Sequence, residues 1–109
     1  MVAIIDAERE RLAALCRTYR VAKLEVFGSA ADGSFNPASS DIDFLVDFLP
    51  LDPGECYDVY FGLLESLQEL FHRRVDLVDV ECLRNPYFIA GVNRSRKVVY
   101  DARSADVSA

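Results

Sequence analysis

Two aspartates separated by one isoleucine, Asp41 and Asp43, open the run DIDFLVDF, and a third, Asp76, stands inside RVDLVDV. Side chains alternate across a strand, so Asp41 and Asp43 would share one face while Ile42 and Phe44 point to the other. Two carboxylates that close repel, and one of them must hold its proton more tightly unless a cation intervenes. Magnesium suits such an edge, because it takes one or two carboxylates and fills its remaining positions with water and substrate phosphates. A D-x-D pair is a short motif, and about one is expected by chance in a chain like this. Its ordinary alternative is a pair of solvated acids on an exposed strand face.

Two further features weigh against that alternative. Gly28-Ser29 closes the preceding apolar run KLEVF. Backbone N–H groups at a glycine turn can hold phosphate, and the Ser29 hydroxyl adds a donor. Asp76 alternates with Val75 and Leu77, so its carboxylate would project beside the other two if its strand pairs with theirs. Three acids around a phosphate-binding turn suit metal-assisted phosphoryl chemistry, with magnesium bridging Asp41 and Asp43 and Asp76 either binding a second metal or drawing the proton from an attacking hydroxyl. The other candidates are weaker. Asp47 shares the parity of Asp43 and is a bystander near the site; Asp79 has the opposite parity to Asp76. His72, the single histidine, sits with Arg73 and Arg74 at a helix C-terminus, where positive charge is favourable.

The elements that must position these residues follow from periodicity. Leu12, Leu15, Cys16 and Tyr19 lie at helical spacing, which predicts an amphipathic helix over 5–19. Strands are expected over 23–27, 41–48 and 74–80, each alternating apolar and polar positions. Between the first two, DGSFNPASS reads as loop. From 55 to 73 the stripe Tyr57, Tyr60, Phe61, Leu64, Leu67 and Phe71 predicts a long helix whose aromatics are core packing. Asn85-Pro86 reads as an N-cap followed by proline at the first helical turn, opening a last helix to about residue 96. A short closing strand is expected at 98–100. The fold class is therefore α+β, one small sheet with helices packed on one face. Residues 1–103 should form a single domain and 104–109 a frayed, disordered tail.

Composition narrows the partners. The 109 residues carry a net charge of −6, so the basic stripe needed to bind duplex nucleic acid directly is missing. Cys16, Cys56 and Cys82 are odd in number and contain no C-x-x-C, which fits reduced thiols rather than a disulfide framework or a zinc site. No basic leader with a long apolar run and no membrane-length segment is seen, and the expected location is the cytoplasm.

The run VFGSAADGSFNPASSDIDFLVDF, continued by RRVDLVD and NPYF, resembles the G-S…D-x-D signature of the polymerase β-like nucleotidyltransferases. Within these it is most similar to the minimal nucleotidyltransferases, often antitoxin partners of HEPN-domain toxins. The resemblance spans nearly the whole chain and implies the nucleotidyltransferase fold with a small mixed sheet, Asp41 and Asp43 as metal ligands, Asp76 as third acid, and Gly28 and Ser29 as nucleotide-binding residues at the triphosphate. It implies Mg2+ as cofactor, ATP as the nucleoside triphosphate, and transfer of AMP to a hydroxyl on a HEPN-type partner. A second subunit is the other possible source of the acceptor surface, making a homo-oligomer, and an aminoglycoside-like small molecule a further acceptor class. One position departs. Family members often carry a basic residue where this chain has Asp32, and a carboxylate cannot neutralise phosphate. Arg73, Arg74, Arg94 and Arg96 are the cations that could take over. The competing class is a non-catalytic binding module that neutralises its partner by occupancy.

Overall fold

The computed structural model describes residues 3–28, 41–82 and 84–103. Four strands form a mixed sheet in the order β3-β2-β1-β4, with β1 at Val21–Phe27, β2 at Ile42–Phe48, β3 at Val75–Asp79 and β4 at Lys97–Asp101. The α+β class and mixed sheet expected from the sequence are present. β1 runs antiparallel to both β2 and β4, and β3 lies parallel to β2 at the sheet edge. That parallel pair needs a long crossover, supplied by helix α3 (Cys56–Phe71).

One face of the sheet carries the main core. Leu24 and Val26 of β1, Ile42, Phe44 and Val46 of β2 and Val75 and Leu77 of β3 pack beneath α1 (Ala3–Ala7), α2 (Arg9–Thr18) and α3, which contribute Ile5, Leu12, Cys16, Leu63, Leu67 and Phe71. A β-bulge between Val21 and Lys23 turns Val21 onto this face out of strict alternation. The expected continuous helix over 5–19 is instead two, parted at Glu8. Helix α3 approaches α2 closely: a Cβ on Gly62 would lie 2.5 Å from Tyr19 Cε1. Tyr19 and Ser66 join their hydroxyls across the gap at 3.2 Å.

The other face carries a smaller cluster, Phe27, Leu45 and Val92. Val92 belongs to α4 (Pro86–Ser95), which starts as read from sequence: Pro86 follows Asn85, whose Oδ1 accepts from the amides of Tyr87 at 2.9 Å and Phe88 at 3.4 Å. Helices α1 to α3 thus cover one face, and α4 adds a patch on the other. Its C-terminal end is held by charge. Arg96 donates from Nε and Nη2 to Glu25 at 2.8 and 2.6 Å, a bidentate pair on a carboxylate that is 5% exposed. The Arg96 guanidinium holds the Glu25 carboxyl below its usual value, against the opposing pull of burial.

Breaking a buried pair from one side leaves the other charge unpaired. Arg96→Ala should therefore lower stability by about 2–4 kcal/mol in urea unfolding. Glu25 has a depressed folded-state pKa, so its contribution is present at neutral pH and fades as pH falls through that value. The deficit of Arg96→Ala against wild type should accordingly narrow in acid. An equal deficit at neutral and acid pH would show that the pair does not carry the effect.

Candidate functional site

The parallel register of β2 and β3 sets Asp43 directly beside Asp76, and the antiparallel register of β1 and β2 sets Phe27 on Asp43's other side. All three share the face opposite the main core, because each neighbours a core residue of the other parity: Val26, Phe44 and Leu77. The apolar partners fix this arrangement. Phe44 pairs with Leu77 and Ile42 with Val75, so a one-residue slip would turn both acids into the core. Tyr60 of α3 donates its hydroxyl to the Leu77 carbonyl and ties the edge strand to the crossover helix.

Asp43 is half-buried and Asp76 exposed. The Asp43 carboxyl is pushed up to about 6, first by burial, then by its hydrogen bond to Asp76, then by the charges of Asp76 and Asp41. Asp41 stands exposed just before β2, near enough for its charge to act on Asp43. The structure thus joins Asp43 to Asp76 and leaves Asp41 beside them. Among the described residues no three His, Cys, Asp or Glu side chains form a preassembled metal cage.

Gly28 completes the site. It leaves β1 at φ +66°, and a Cβ there would lie 2.6 Å from Asp43 Oδ2. Glycine is needed twice over, for the left-handed backbone and for the contact with the carboxylate. Its own amide donates to Ser95 Oγ at 3.0 Å, so this first N–H of the turn is already engaged. Ser29 and Asp32 lie outside the described residues.

A groove of about 660 Å³ runs around the free edge of β3, lined on one side by Tyr60, Leu64 and Gln68 and on the other by Phe27, Asp43, Asp76 and Phe88. Of the four arginines singled out in the sequence, Arg74 is the one in this groove, its Nε 3.9 Å from Asp76 Oδ1. Arg96 is committed to Glu25, and Arg73 donates to the Phe71 carbonyl. Arg94 is exposed on α4. Asp47 pairs across from Lys23 at the far end of β2, and Asp79 accepts the Glu81 amide. His72 caps α3 at φ +53° with its backbone N–H on the Gln68 carbonyl, a structural place. Cys16 and Cys56 are free thiols, and burial pushes Cys16 up to about 12, which leaves it unreactive. Sequence reasoning missed Ser95 and Glu25. Neither sits in a motif, and each acts through a residue about 70 positions away.

The sequence profile described as "Polymerase beta, Nucleotidyltransferase" matches residues 10–105. The chain belongs to this family. It is an enzyme of the nucleotidyltransferase class. A Methanocaldococcus jannaschii protein named a candidate protein adenylyltransferase is 34% identical over 84 residues, 77% of this chain and 82% of the relative. A solved structure named as a candidate minimal nucleotidyltransferase superposes with a TM-score of 0.68 at 32% identity, covering 84% of this chain and 89% of that one. A Shewanella oneidensis complex, a tri-AMPylated HEPN toxin with its minimal-nucleotidyltransferase antitoxin, shares the fold with a TM-score of 0.62 at 20% identity, over 94% of this chain and 76% of that one.

The raised Asp43 pKa has a definite sign. The native state binds the proton more tightly than the unfolded chain, so the associated stability is present below pH 4 and lost as pH rises through about 6. In metal-free protein at pH 7.5, Asp43→Asn should therefore melt higher than wild type, by a few degrees for about 1 kcal/mol once half-exposure is allowed for. The gap should narrow by pH 5 and close only below about pH 4, the unfolded value. A melting temperature equal to or below wild type at pH 7.5 would remove the carboxylate conflict from the account. Gly28→Ala should melt lower by at least about 1 kcal/mol, from the left-handed backbone alone.

Proposed function

We propose that this chain transfers AMP from ATP to a hydroxyl on a HEPN-type partner protein and acts as the antitoxin of a toxin–antitoxin pair in the cytoplasm. The observation that carries this reading is the Asp43–Asp76 pair on neighbouring strands against the Gly28 turn. The named relatives point the same way: a candidate protein adenylyltransferase at 34% identity and an AMPylated HEPN toxin bound to a protein of the same fold. The location accords with the free thiols of Cys16 and Cys56, and among the described residues no helix is long and apolar enough to cross a membrane.

The donor set fits Mg2+. It is all carboxylate oxygen, and the burial and neighbouring charges that push its half-buried member up to about 6 are what a cation would offset. Bound there, magnesium would stabilise charge on the α-phosphate and the departing pyrophosphate. Asp41 and Asp43 would hold the cation, with Asp76 as the third acid. Gly28 and Ser29 back the triphosphate, and Arg74 supplies positive charge in the groove. Asp76, exposed and bonded to Asp43, takes the proton from the acceptor hydroxyl as its oxygen forms a bond to the α-phosphorus. The bond from that phosphorus to the α–β bridging oxygen breaks, and pyrophosphate leaves. Positioning and electrostatics supply the rate, with no covalent enzyme intermediate.

Incubating the chain and its genomic-neighbour protein with α-labelled ATP and Mg2+ tests this. Label should appear on the neighbour and fall at least about 100-fold in Asp41→Ala/Asp43→Ala. A double variant that still neutralises the neighbour fully, with no label on either protein in the wild-type reaction, favours a binder acting by occupancy and ends the enzymatic reading. Arg74→Ala should raise KM for ATP about 3- to 10-fold with kcat little changed, as loss of one exposed charge-assisted contact implies.

A further inference from the structure

Three interactions converge on the last turn of α4. Arg96, which follows the helix, is fixed by its two bonds to Glu25 and by a third, from Nη1 to Asn93 Oδ1, at 2.8 Å. Its backbone N–H closes on the Val92 carbonyl at 2.8 Å, and Val92 itself is buried against Phe27 and Leu45. Ser95 lies between these anchors and reaches across 67 residues of sequence to accept the Gly28 amide. Gly28 in turn has no room for a side chain, since a Cβ there would lie 2.6 Å from Asp43 Oδ2. The path from Glu25 through Arg96 and Ser95 to Gly28 is thus continuous and ends at the acid that burial and Asp76 have perturbed most.

Gly28 follows the last ladder pair of β1, Phe27 with Asp43, so its amide needs a partner from outside the sheet. A side chain from α4 provides it, and only in one geometry, because α4 is itself bolted to β1. We propose that Ser95 is a positioning residue for nucleotide binding: it fixes the Gly28 peptide against Asp43 and so sets where the triphosphate lies relative to the carboxylates. This rests on the nucleotide-binding reading above. Ser95 does not act by contacting the nucleotide. Its hydroxyl is the acceptor that holds the turn in its left-handed conformation, and small displacements of such a support weaken binding and reaction far more than they weaken the fold.

The test compares wild type, Ser95→Ala and Ser95→Thr. Its readouts are the Kd for a non-hydrolysable ATP analogue with Mg2+ by calorimetry, hydrogen exchange at the Gly28 amide, and the melting temperature. Ser95→Ala is expected to speed Gly28 exchange at least 10-fold and raise Kd about 10-fold. Its melting temperature should fall by no more than a few degrees. Ser95→Thr, which keeps the acceptor, should restore both exchange and Kd to within about 2-fold. Fast Gly28 exchange with an unchanged Kd overturns the proposal and leaves Ser95 as a structural cap alone. A weakened Kd that threonine does not restore also overturns it, since the hydroxyl is then not the cause. If wild type fails to bind the analogue, the nucleotide reading falls first and this one with it; tight wild-type binding that Ser95→Ala leaves intact removes this proposal alone.

Discussion

Asp43 and Asp76 are held side by side on neighbouring strands by a parallel register that their own charges oppose. The register persists because apolar pairs on the reverse face, Phe44 with Leu77 and Ile42 with Val75, are buried beneath α3 and cannot slip by one residue without exposing the core. Hydrophobic burial thus supplies the energy that keeps two acids together, and the raised Asp43 carboxyl marks the conflict. The site is a strained electrostatic element mounted on a well-packed sheet. In the proposed reading a cation with an anionic phosphate would relieve that strain.

The sheet divides its work by face. The main core, the two N-terminal helices and α3 lie on one side. The acids, Phe27 and the small patch under Val92 lie on the other. Among the described residues the single helix α4 partly covers the second face, and a groove runs along the edge of β3. A fold so arranged is shared at about 20% identity with a toxin-bound relative, and such distant likeness speaks for the scaffold alone. What the chain does with that scaffold depends on a few side chains along one edge.

Charge is distributed with similar economy. The chain is acidic overall, and its arginines are mostly engaged in holding structure: Arg96 on Glu25, Arg20 on Glu55 at 2.6 Å and on the Pro50 carbonyl at 2.9 Å. Arg74 stands in the groove beside the acids. The proposed phosphate site would rely on backbone geometry at Gly28 and on carboxylates that recruit a cation, rather than on a field of basic residues. That reliance explains why the support of Gly28 from Ser95 carries such weight.

The sequence by itself determined the strands and helices, because alternation in DIDFLVDF and RVDLVDV and the apolar stripe from Tyr57 to Phe71 encode their periods locally. It determined the start of α4 as well, since Asn85-Pro86 is a local cap. The acids and Gly28 were legible for the same reason: a short motif on a periodic strand needs no distant partner to be recognised. It missed the break at Glu8, where two short helices stand for one amphipathic pattern. Only the tertiary structure decided which strands pair, that Asp43 and Asp76 meet while Asp41 stands beside them, and that Arg96 is spent on Glu25 rather than free for phosphate. Those outcomes are contacts between residues 16 to 78 positions apart. They are fixed by how the faces of the sheet are packed, and no periodicity along the chain records them.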